Sequence, residues 1–308
     1  MANTTKTSVA NSLPDTFIAE VKTKVQEGPI MRPLVTNVNL PRGEGGQWEM
    51  TELTRATAVA LADGFDMVGT DTVTDTTLQI TPTEFGAQLT ITDLAKNQIT
   101  KRTDLVRQVG RILGNSMITK EDIDLLTELD SASVALGSAG TALTPGHIMA
   151  AAASIKGGGQ VAGAIVAGTP EPGPDPINAV FNSSQFHNVN KFLVGGATGG
   201  TLAATSIAAP SAGPGFEALT RGYRGPIGDA AVYIDNNLSK DASDDAKGGV
   251  WSKEAIVQVG FMGSPTMEEQ RDASLRGTEY NIVMVKGTGE WKDAWKREML
   301  FDAASPTS

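Results

Sequence analysis

The feature that most constrains the fold is an alternating pattern of apolar and polar residues within residues 47–93. In the segment TEFGAQLTITD, Phe85, Ala87, Leu89 and Ile91 fall on one face of an extended strand, and mostly polar residues fall on the other. Two shorter alternating segments, QWEMTEL and TTLQIT, precede it and predict a two-stranded β-ribbon with an irregular tip. Because such a ribbon is only marginally stable alone in water, it must lie on another surface.

The strongest helical pattern follows the ribbon and predicts one long helix at about residues 102–133. Its basic residues, among them Arg107 and Arg111, come early, whereas its acidic residues, among them Glu121 and Glu128, come late. This order is the reverse of what the helix dipole favours, so it indicates that each end meets an opposite charge on a neighbour. A solvated helix face without a partner is the alternative. The apolar stripe expected to face the core comprises Leu105, Val109, Ile112, Leu113, Met117, Ile123, Leu126 and Leu129.

The other elements surround this helix and predict an α+β fold. TPGHIMAAAASIKGGG is a short Ala-rich helix, and INAVFNSSQFHNVNKFL is a buried strand followed by a helix. RGPIGDAAVYIDNNL contains one strand and WSKEAIVQVGFM another. The segment TEYNIVMVKGTGEWKDAWKREMLF predicts two strands joined by a turn, with GTGE at the corner of the hairpin. The polar N-terminal segment, residues 1–45, contains one modest helical pattern and is expected to lie along another surface.

Composition argues against catalytic and metal-binding classes. The chain has no Cys, which excludes disulfides and thiolate chemistry, and its two histidines, His147 and His187, share no metal-ligand spacing. The Gly-rich segments KGGGQVAG and KGTGEW lack the pattern of a phosphate-binding loop. Asp241, Asp244 and Asp245 lack the order of a calcium loop and are expected in a solvated acidic loop. We therefore expect no enzyme activity, no cofactor and no metal.

Charge and hydropathy limit the partners in a similar way. The net charge of −10 argues against a broad surface that binds nucleic acid tightly, because phosphates need clustered Lys and Arg. The chain could still enclose DNA without binding it tightly. No apolar run approaches the length of a membrane span, and the N-terminus lacks the apolar region of a signal peptide.

Large apolar side chains on the ribbon are candidates for contact with another molecule, since the segment is too thin to bury them. Packing on the same chain is the alternative. Together with one arginine of the ribbon and the charged residues of the long helix, the candidate contact residues are Trp48, Met50, Arg55, Phe65, Met67, Arg107, Arg111, Glu121 and Glu128.

The order of elements resembles the major capsid proteins of tailed bacteriophages, which have the Hong Kong 97-type fold. The resemblance covers essentially the whole chain and is most specific in TPTEFGAQLTITDLAKNQ and in DDAKGGVWSKEAIVQVGFMGSPTMEEQRDASLRGTEYNIVMVKGTGEWKD. It implies the following division: an N-terminal arm at 1–43, an E-loop ribbon at 44–80, a P-domain at 81–156 with a spine helix at about 102–133, mostly A-domain at 157–250, and return strands at 251–308.

The resemblance also implies a structural function. Copies of the chain would form the hexamers and pentamers of an icosahedral shell that encloses double-stranded DNA without reading its sequence. The loop at 194–215 would lie near the capsomer axis. A portal, a separate scaffolding protein and a cement or decoration protein are the implied partners, and no membrane is involved. The shell would be part of the virion and would assemble in the host cytoplasm.

Two departures from the family pattern refine this hypothesis. Members with covalent chainmail join an E-loop lysine to an asparagine on another subunit, but residues 43–95 contain no lysine and only one arginine, Arg55. We therefore expect no isopeptide crosslink. The chain also begins at the N-terminal arm without a long coiled-coil segment, so we expect the scaffolding protein to be separate.

Three alternatives remain open from sequence. An encapsulin-like compartment would share the fold but load protein cargo. A monomeric tail or decoration protein would have a complete core of its own. An unrecognised hydrolase would depend on His147 or His187.

Overall fold

The structure is a computed structural model that describes residues 29–41, 46–53, 63, 72–98, 102–158, 171–194, 223–261 and 265–306. The helices are α1 (Asp93–Gln98), α2 (Arg102–Asp130), α3 (Pro145–Lys156) and α4 (Ser183–Val194). The strands are β1 (Thr36–Leu40), β2 (Trp48–Leu53), β3 (Asp75–Ile80), β4 (Thr83–Thr92), β5 (Ala135–Gly137), β6 (Ile177–Phe181), β7 (Tyr223–Ile227), β8 (Ala230–Ile234), β9 (Asp245–Ser252), β10 (Ile256–Phe261), β11 (Thr266–Asp272), β12 (Gly277–Glu290) and β13 (Lys296–Asp302).

One sheet is built around the long strand β12. Strands β1, β10, β12 and β11 lie in that order, and β4 pairs with β12 in antiparallel register. Helix α2 covers one face, where Val109, Leu113 and Met117 pack against Tyr280 and Ile282. The alternation predicted for residues 83–92 is confirmed, because only one face of β4 lies under this helix.

A second sheet of six strands has the order β5-β13-β9-β6-β8-β7. All five residues of β6 are buried, because the sheet carries apolar side chains on both faces. Its main core joins residues of α3 and α4, such as Ile148 and Val189, to Phe181, Val250 and Phe301 of the strands. The predicted Ala-rich helix and the buried strand followed by a helix are confirmed as α3, β6 and α4.

Helix α2 buries different faces in its two halves. Its first half packs on the β12 sheet, whereas Leu125 and Leu129 in its second half pack against Trp251. Ile112 and Ile123, which the sequence assigned to the buried stripe, are each 41% exposed. The prediction of a single buried apolar stripe was therefore wrong. The helix packs first on the β12 sheet and then against Trp251 of β9, so a different face is buried in each half. The helix ends at Asp130, slightly before the predicted end near residue 133.

The N-terminal segment lies against this junction. Met31 and Val35 are fully buried beside the second half of α2, and β1 pairs in parallel with β10. The Asp122 carboxylate of α2 accepts hydrogen bonds from the backbone N–H groups of Ile30 and Met31 at 3.0 and 2.8 Å. The same carboxylate accepts one from the Asn237 amide at 2.8 Å. The helical pattern within residues 1–28 lies outside the described residues.

Two local predictions were wrong, and one strand was missed. GTGE is not a hairpin corner but the end of β12, and the chain turns at a short 3-10 helix, Asp293–Trp295, before β13 enters the other sheet. Asp245 is not in a solvated loop: it is buried at the start of β9 and accepts a hydrogen bond from the backbone N–H of Gly140 at 2.7 Å. The strand predicted within residues 224–238 is confirmed as β8, but the sequence analysis missed its antiparallel partner β7, which a turn at Gly228 separates from it.

Candidate assembly surfaces

The predicted ribbon is a hairpin of β2 and β3 that protrudes from the body of the chain. The strands are antiparallel, with Trp48 opposite Ile80 and Leu53 opposite Asp75. They form a two-stranded sheet with no other strand beside them among the described residues. The tip, residues 54–71, lies outside the described residues except for Asp63.

The base of the hairpin rests on a small apolar group that we call the anchoring cluster. Its buried members are Ile80, Val257 and Val259. Around them pack five partly buried residues: Val38, Leu40, Trp48, Leu78 and Trp291. Among the described hairpin residues, Ile80 alone is buried, so most of the surface of β2 and β3 is left for water or another molecule.

The glycines of the GTG segment allow this close approach. A Cβ atom on Gly289 would lie 2.7 Å from the Cδ1 atom of Ile80, and one on Gly287 would lie 3.0 Å from its Cγ2 atom. Side chains at these two positions of β12 would therefore push the hairpin away from the sheet. The glycines that looked like a turn signal are strand residues that make room for the hairpin.

Apolar exposure increases along the hairpin away from its base. Trp48 is half-buried in the anchoring cluster, so it packs on its own chain. Met50 is 37% exposed, and Leu53 and Val73 are 65% and 62% exposed. Three predicted contact residues of the tip, Arg55, Phe65 and Met67, lie outside the described residues.

The outer face of α2 is a second exposed surface. Arg107 and Arg111 are exposed on the helix, and no ion pair joins either of them to a described acidic residue. Ile112 and Ile123 lie eleven residues apart, which is close to three helical turns, so they point in similar directions. The outer face therefore combines two cations with two exposed apolar side chains.

The acidic helix residues predicted as contacts are engaged within the chain. Glu121 is buried, pairs closely with Lys286 of β12 and lies 3.6 Å from the Arg32 guanidinium. Burial lowers the pKa of Lys286, while the Glu121 carboxylate partly compensates. Glu128 accepts a hydrogen bond from the Thr288 hydroxyl at 2.8 Å. A polar cavity of about 150 Å³ lies beside Glu121 and Lys286.

Sequence reasoning did not single out Asp122 or Lys286. Both are charged residues with specific buried partners, but in the sequence they look like ordinary solvated charges of a helix and a strand. Only the approach of segments far apart in the chain gives them their partners. No pattern in the sequence could have identified these contacts.

His147, one of the two histidines in the sequence, has a local role in the described structure. His147 serves the start of α3, where its Nδ1 atom accepts a hydrogen bond from the Thr144 backbone N–H at 3.3 Å. Within the described ranges, no group of three or more His, Asp or Glu residues is placed to hold a metal ion. None of the described helices is long and apolar enough to cross a membrane.

Comparison with known proteins identifies the family. The sequence profile described as phage capsid protein matches residues 74–296, which is most of the chain. The chain belongs to the phage capsid protein family. The matched region contains β3, β4, the whole of α2 and the central strand β12.

Solved phage capsid structures have the same fold. The head structure of Helicobacter pylori bacteriophage KHP40 superposes with a TM-score of 0.70 at 10% identity, covering 98% of this chain and 99% of that one. The capsid of cyanophage P-SCSP1u gives a TM-score of 0.65 at 15% identity, covering 99% and 97%. A chain of Mycobacterium phage Che8 gives 0.65 at 16% identity, covering 95% and 98%. No curated protein matches the sequence significantly.

These findings confirm the Hong Kong 97-type capsid fold and the role of the chain as a phage capsid protein that forms a shell. They do not favour the encapsulin-like compartment or the monomeric binding protein. Within the phage capsid protein family, the hairpin and the outer face of α2 are candidate surfaces for contact between subunits.

Proposed function

We propose that copies of this chain form the hexamers and pentamers of an icosahedral shell, with the β2–β3 hairpin laid on a neighbouring subunit. The observation that carries this proposal is the exposure of Met50, Leu53 and Val73 on a hairpin with one buried residue. Burial of these side chains on a partner would be favourable by about 25 cal/mol per Å² of apolar area, and among the described residues the two strands have no second layer of their own to cover them.

The outer face of α2 is the second proposed contact surface. Arg107 and Arg111 could meet acidic groups of a neighbour while Ile112 and Ile123 supply apolar area. Glu128 is only partly buried and remains a proposed contact, whereas the Glu121 carboxylate is buried and pairs with Lys286 within the chain.

The proposed domains keep their earlier boundaries: an arm at 1–43, an E-loop at 44–80, a P-domain at 81–156, an A-domain at 157–250 and return strands at 251–308. The two sheets support this division. One refinement concerns the six-stranded sheet, which also contains β5 and β13 from outside residues 157–250. The segment 194–215, proposed to lie near the capsomer axis, is almost wholly outside the described residues.

The proposed contents and partners follow from charge and from the family. A shell built from subunits of net charge −10 would enclose double-stranded DNA without binding it tightly, because phosphates need clustered cations. A portal, a separate scaffolding protein and a cement protein would complete the particle, and assembly would take place in the host cytoplasm. We propose no catalytic role for the chain.

The shell is proposed to be held by non-covalent contacts, since residues 43–95 contain no lysine for an isopeptide bond. The test is to express the chain with and without a scaffolding candidate and to examine it by size exclusion and negative-stain electron microscopy. We expect closed shells or capsomers that return single chains on boiling in SDS.

The variant Leu53→Asp separates assembly from folding. Leu53 is exposed, so the free energy of unfolding of the chain should change by less than about 0.5 kcal/mol. Assembly should fail, because a carboxylate would be buried in the subunit contact. A wild-type chain that stays monomeric under every salt condition would contradict the proposal, as would a Leu53→Asp chain that assembles normally.

A further inference from the structure

Lys292 joins three parts of the chain that are far apart in sequence. It lies in the turn between β12 and β13, just before the 3-10 helix Asp293–Trp295. Its ammonium group pairs closely with Glu52 of the hairpin and lies 2.9 Å from the Glu171 carboxylate. The lysine side chain is only 18% exposed, so this contact is partly shielded from water and salt.

Two tryptophans flank the same ammonium group. The centroids of the Trp291 and Trp295 rings each lie 6.0 Å from the Lys292 Nζ atom. Trp291 belongs to the anchoring cluster, and the Trp295 Nε1 atom donates a hydrogen bond to the Glu171 carbonyl at 3.0 Å. Both rings are thereby fixed, so the lysine is held in a defined position rather than sampling many rotamers.

The electrostatic balance keeps this lysine charged. Burial by itself lowers the pKa of Lys292, but its hydrogen bonds with Glu52 and Glu171 outweigh that effect and raise the pKa above its ordinary value. The contact therefore persists as an ion pair through the neutral range.

Glu52 is a second point at which the hairpin is attached to the body, further out along β2 than Trp48. Side chains alternate along a strand, so Trp48, Met50 and Glu52 of β2 share the face that looks towards the body. Trp48 is fixed at the base by the anchoring cluster, and Glu52 lies four residues further out, about 13 Å along the strand. One attachment point would leave the hairpin free to pivot, whereas two set its direction.

We propose that Lys292 is a positioning residue that fixes the angle at which the β2–β3 hairpin leaves the body, and thereby the geometry of its contact with the next subunit. The second half of this inference rests on the proposed function, in which the hairpin reaches a neighbouring subunit. Glu171 lies on the body side, where its carboxylate is the second ion-pair partner of the Lys292 ammonium group and holds the lysine in place.

The first measurement is hydrogen exchange of the unassembled chain, read from peptides that contain β2 and β3. In Lys292→Met the aliphatic stem remains but the charge is lost. Exchange in β2 and β3 should become roughly tenfold faster, because a partly buried charge-assisted contact is worth about one tenfold step in an opening equilibrium. Lys292→Arg should retain the slow exchange, and Glu52→Gln should reproduce the loss.

Lys156→Met is the matched control. Lys156 also bridges two carboxylates, Asp175 at 3.3 Å and Asp229 at 3.2 Å, but it lies on α3 and neither partner belongs to the hairpin. Its loss should leave exchange in β2 and β3 unchanged. Glu52→Gln also guards against a folding failure of the lysine variant, because Glu52 is partly exposed.

The second measurement is the diameter distribution of assembled particles by electron microscopy. Lys292→Met should give a broader distribution or open particles, while Lys292→Arg and Lys156→Met should match the wild type. Unchanged hydrogen exchange of β2 and β3 in Lys292→Met would overturn the proposal that Lys292 holds the hairpin to the body. Faster exchange with wild-type particle diameters and yield would overturn its role in assembly geometry. A wild-type chain that never assembles would instead contradict the proposed function. The exchange result would still decide whether Lys292 holds the hairpin to the body.

Discussion

The β2–β3 hairpin and the six-stranded sheet are both antiparallel or mixed β structure, yet they are stabilised in different ways. In the sheet, β6 is buried along its whole length and β9 along most of it. In the hairpin, only the last residue of β3, Ile80, is buried. The sheet is therefore complete within one chain. The described part of the hairpin has a few contacts at its base, and its outer residues are exposed where we propose that a neighbour binds.

The difference predicts that the two regions of this capsid subunit resist local opening to different degrees. A buried sheet resists local opening, because opening it would expose much apolar area. The β2–β3 hairpin is held by the small anchoring cluster and by Lys292, so fewer contacts oppose its local opening.

The largest effect should come from removing matched tryptophans in the two regions. Trp251 of β9 is fully buried and its Nε1 atom donates a hydrogen bond to the Leu34 carbonyl at 3.2 Å. Trp251→Ala should lower the free energy of unfolding by about 3–5 kcal/mol. Trp48→Ala, in the half-buried anchoring cluster, should lower it by only about 1–2 kcal/mol. Urea denaturation of the unassembled chain checks both. Equal losses would mean that the hairpin is as integral as the sheet.

A smaller effect should follow from Gly289→Ala at the base of the hairpin. The added Cβ would lie 2.7 and 2.8 Å from the Cδ1 and Cγ1 atoms of Ile80, so that side chain must move. We expect a loss of about 1–2 kcal/mol in the free energy of unfolding. Gly114→Ala on α2 is the control: nothing lies within 4 Å of its added Cβ, so better helix propensity should stabilise the chain by about 0.5–1 kcal/mol. Thermal unfolding would measure the two opposite signs. An unchanged free energy of unfolding in Gly289→Ala would show that Ile80 can move aside for the added Cβ atom without loss of stability.

The smallest effect concerns the hairpin β11–β12 of the five-stranded sheet, in which β11 is mostly exposed and β12 is the partly buried central strand. At its turn the Asp272 carboxylate accepts a hydrogen bond from the Ser274 hydroxyl, and others from the backbone N–H groups of Ser274 and Leu275; together these lower the pKa of Asp272. A carboxyl with a lowered pKa stabilises the fold above its unfolded value of 3.8, and this contribution is lost as the pH falls through the lower, folded value.

The turn should thus be insensitive to pH in the neutral range and should loosen only below about 3.8. An NMR titration of the Asp272 carboxyl carbon should show a midpoint below that value, and Asp272→Asn should remove the transition. A midpoint at or above 3.8 would mean that the turn does not hold the carboxylate as described. The prediction sharpens the comparison, since this hairpin is fixed by its own turn and the sheet, whereas the described contacts that hold β2–β3 to the body lie at its base and at Lys292.

Much of the candidate surface could be predicted from the sequence, but the partition between intrachain and interchain contacts could not. The ribbon was evident from its alternating apolar and polar residues. It was a candidate contact surface because a two-stranded ribbon is only marginally stable alone. Trp48 and Glu121 were predicted as contacts between molecules, yet Trp48 packs on the anchoring cluster and Glu121 pairs with Lys286. Their partners lie far away in the chain, and no local pattern encodes such proximity.

The sequence by itself determined the α+β class, the ribbon, the strand at 83–92 and the long helix, because periods of two and of about 3.6 residues are local properties of a chain. The absence of lysine from residues 43–95 was equally local. Only the tertiary structure decided that α2 buries different faces in its two halves and that GTGE is a strand beside Ile80. It also decided that Lys292 meets Glu52 and Glu171. Those outcomes depend on how distant segments pack, and packing is set by the whole chain at once.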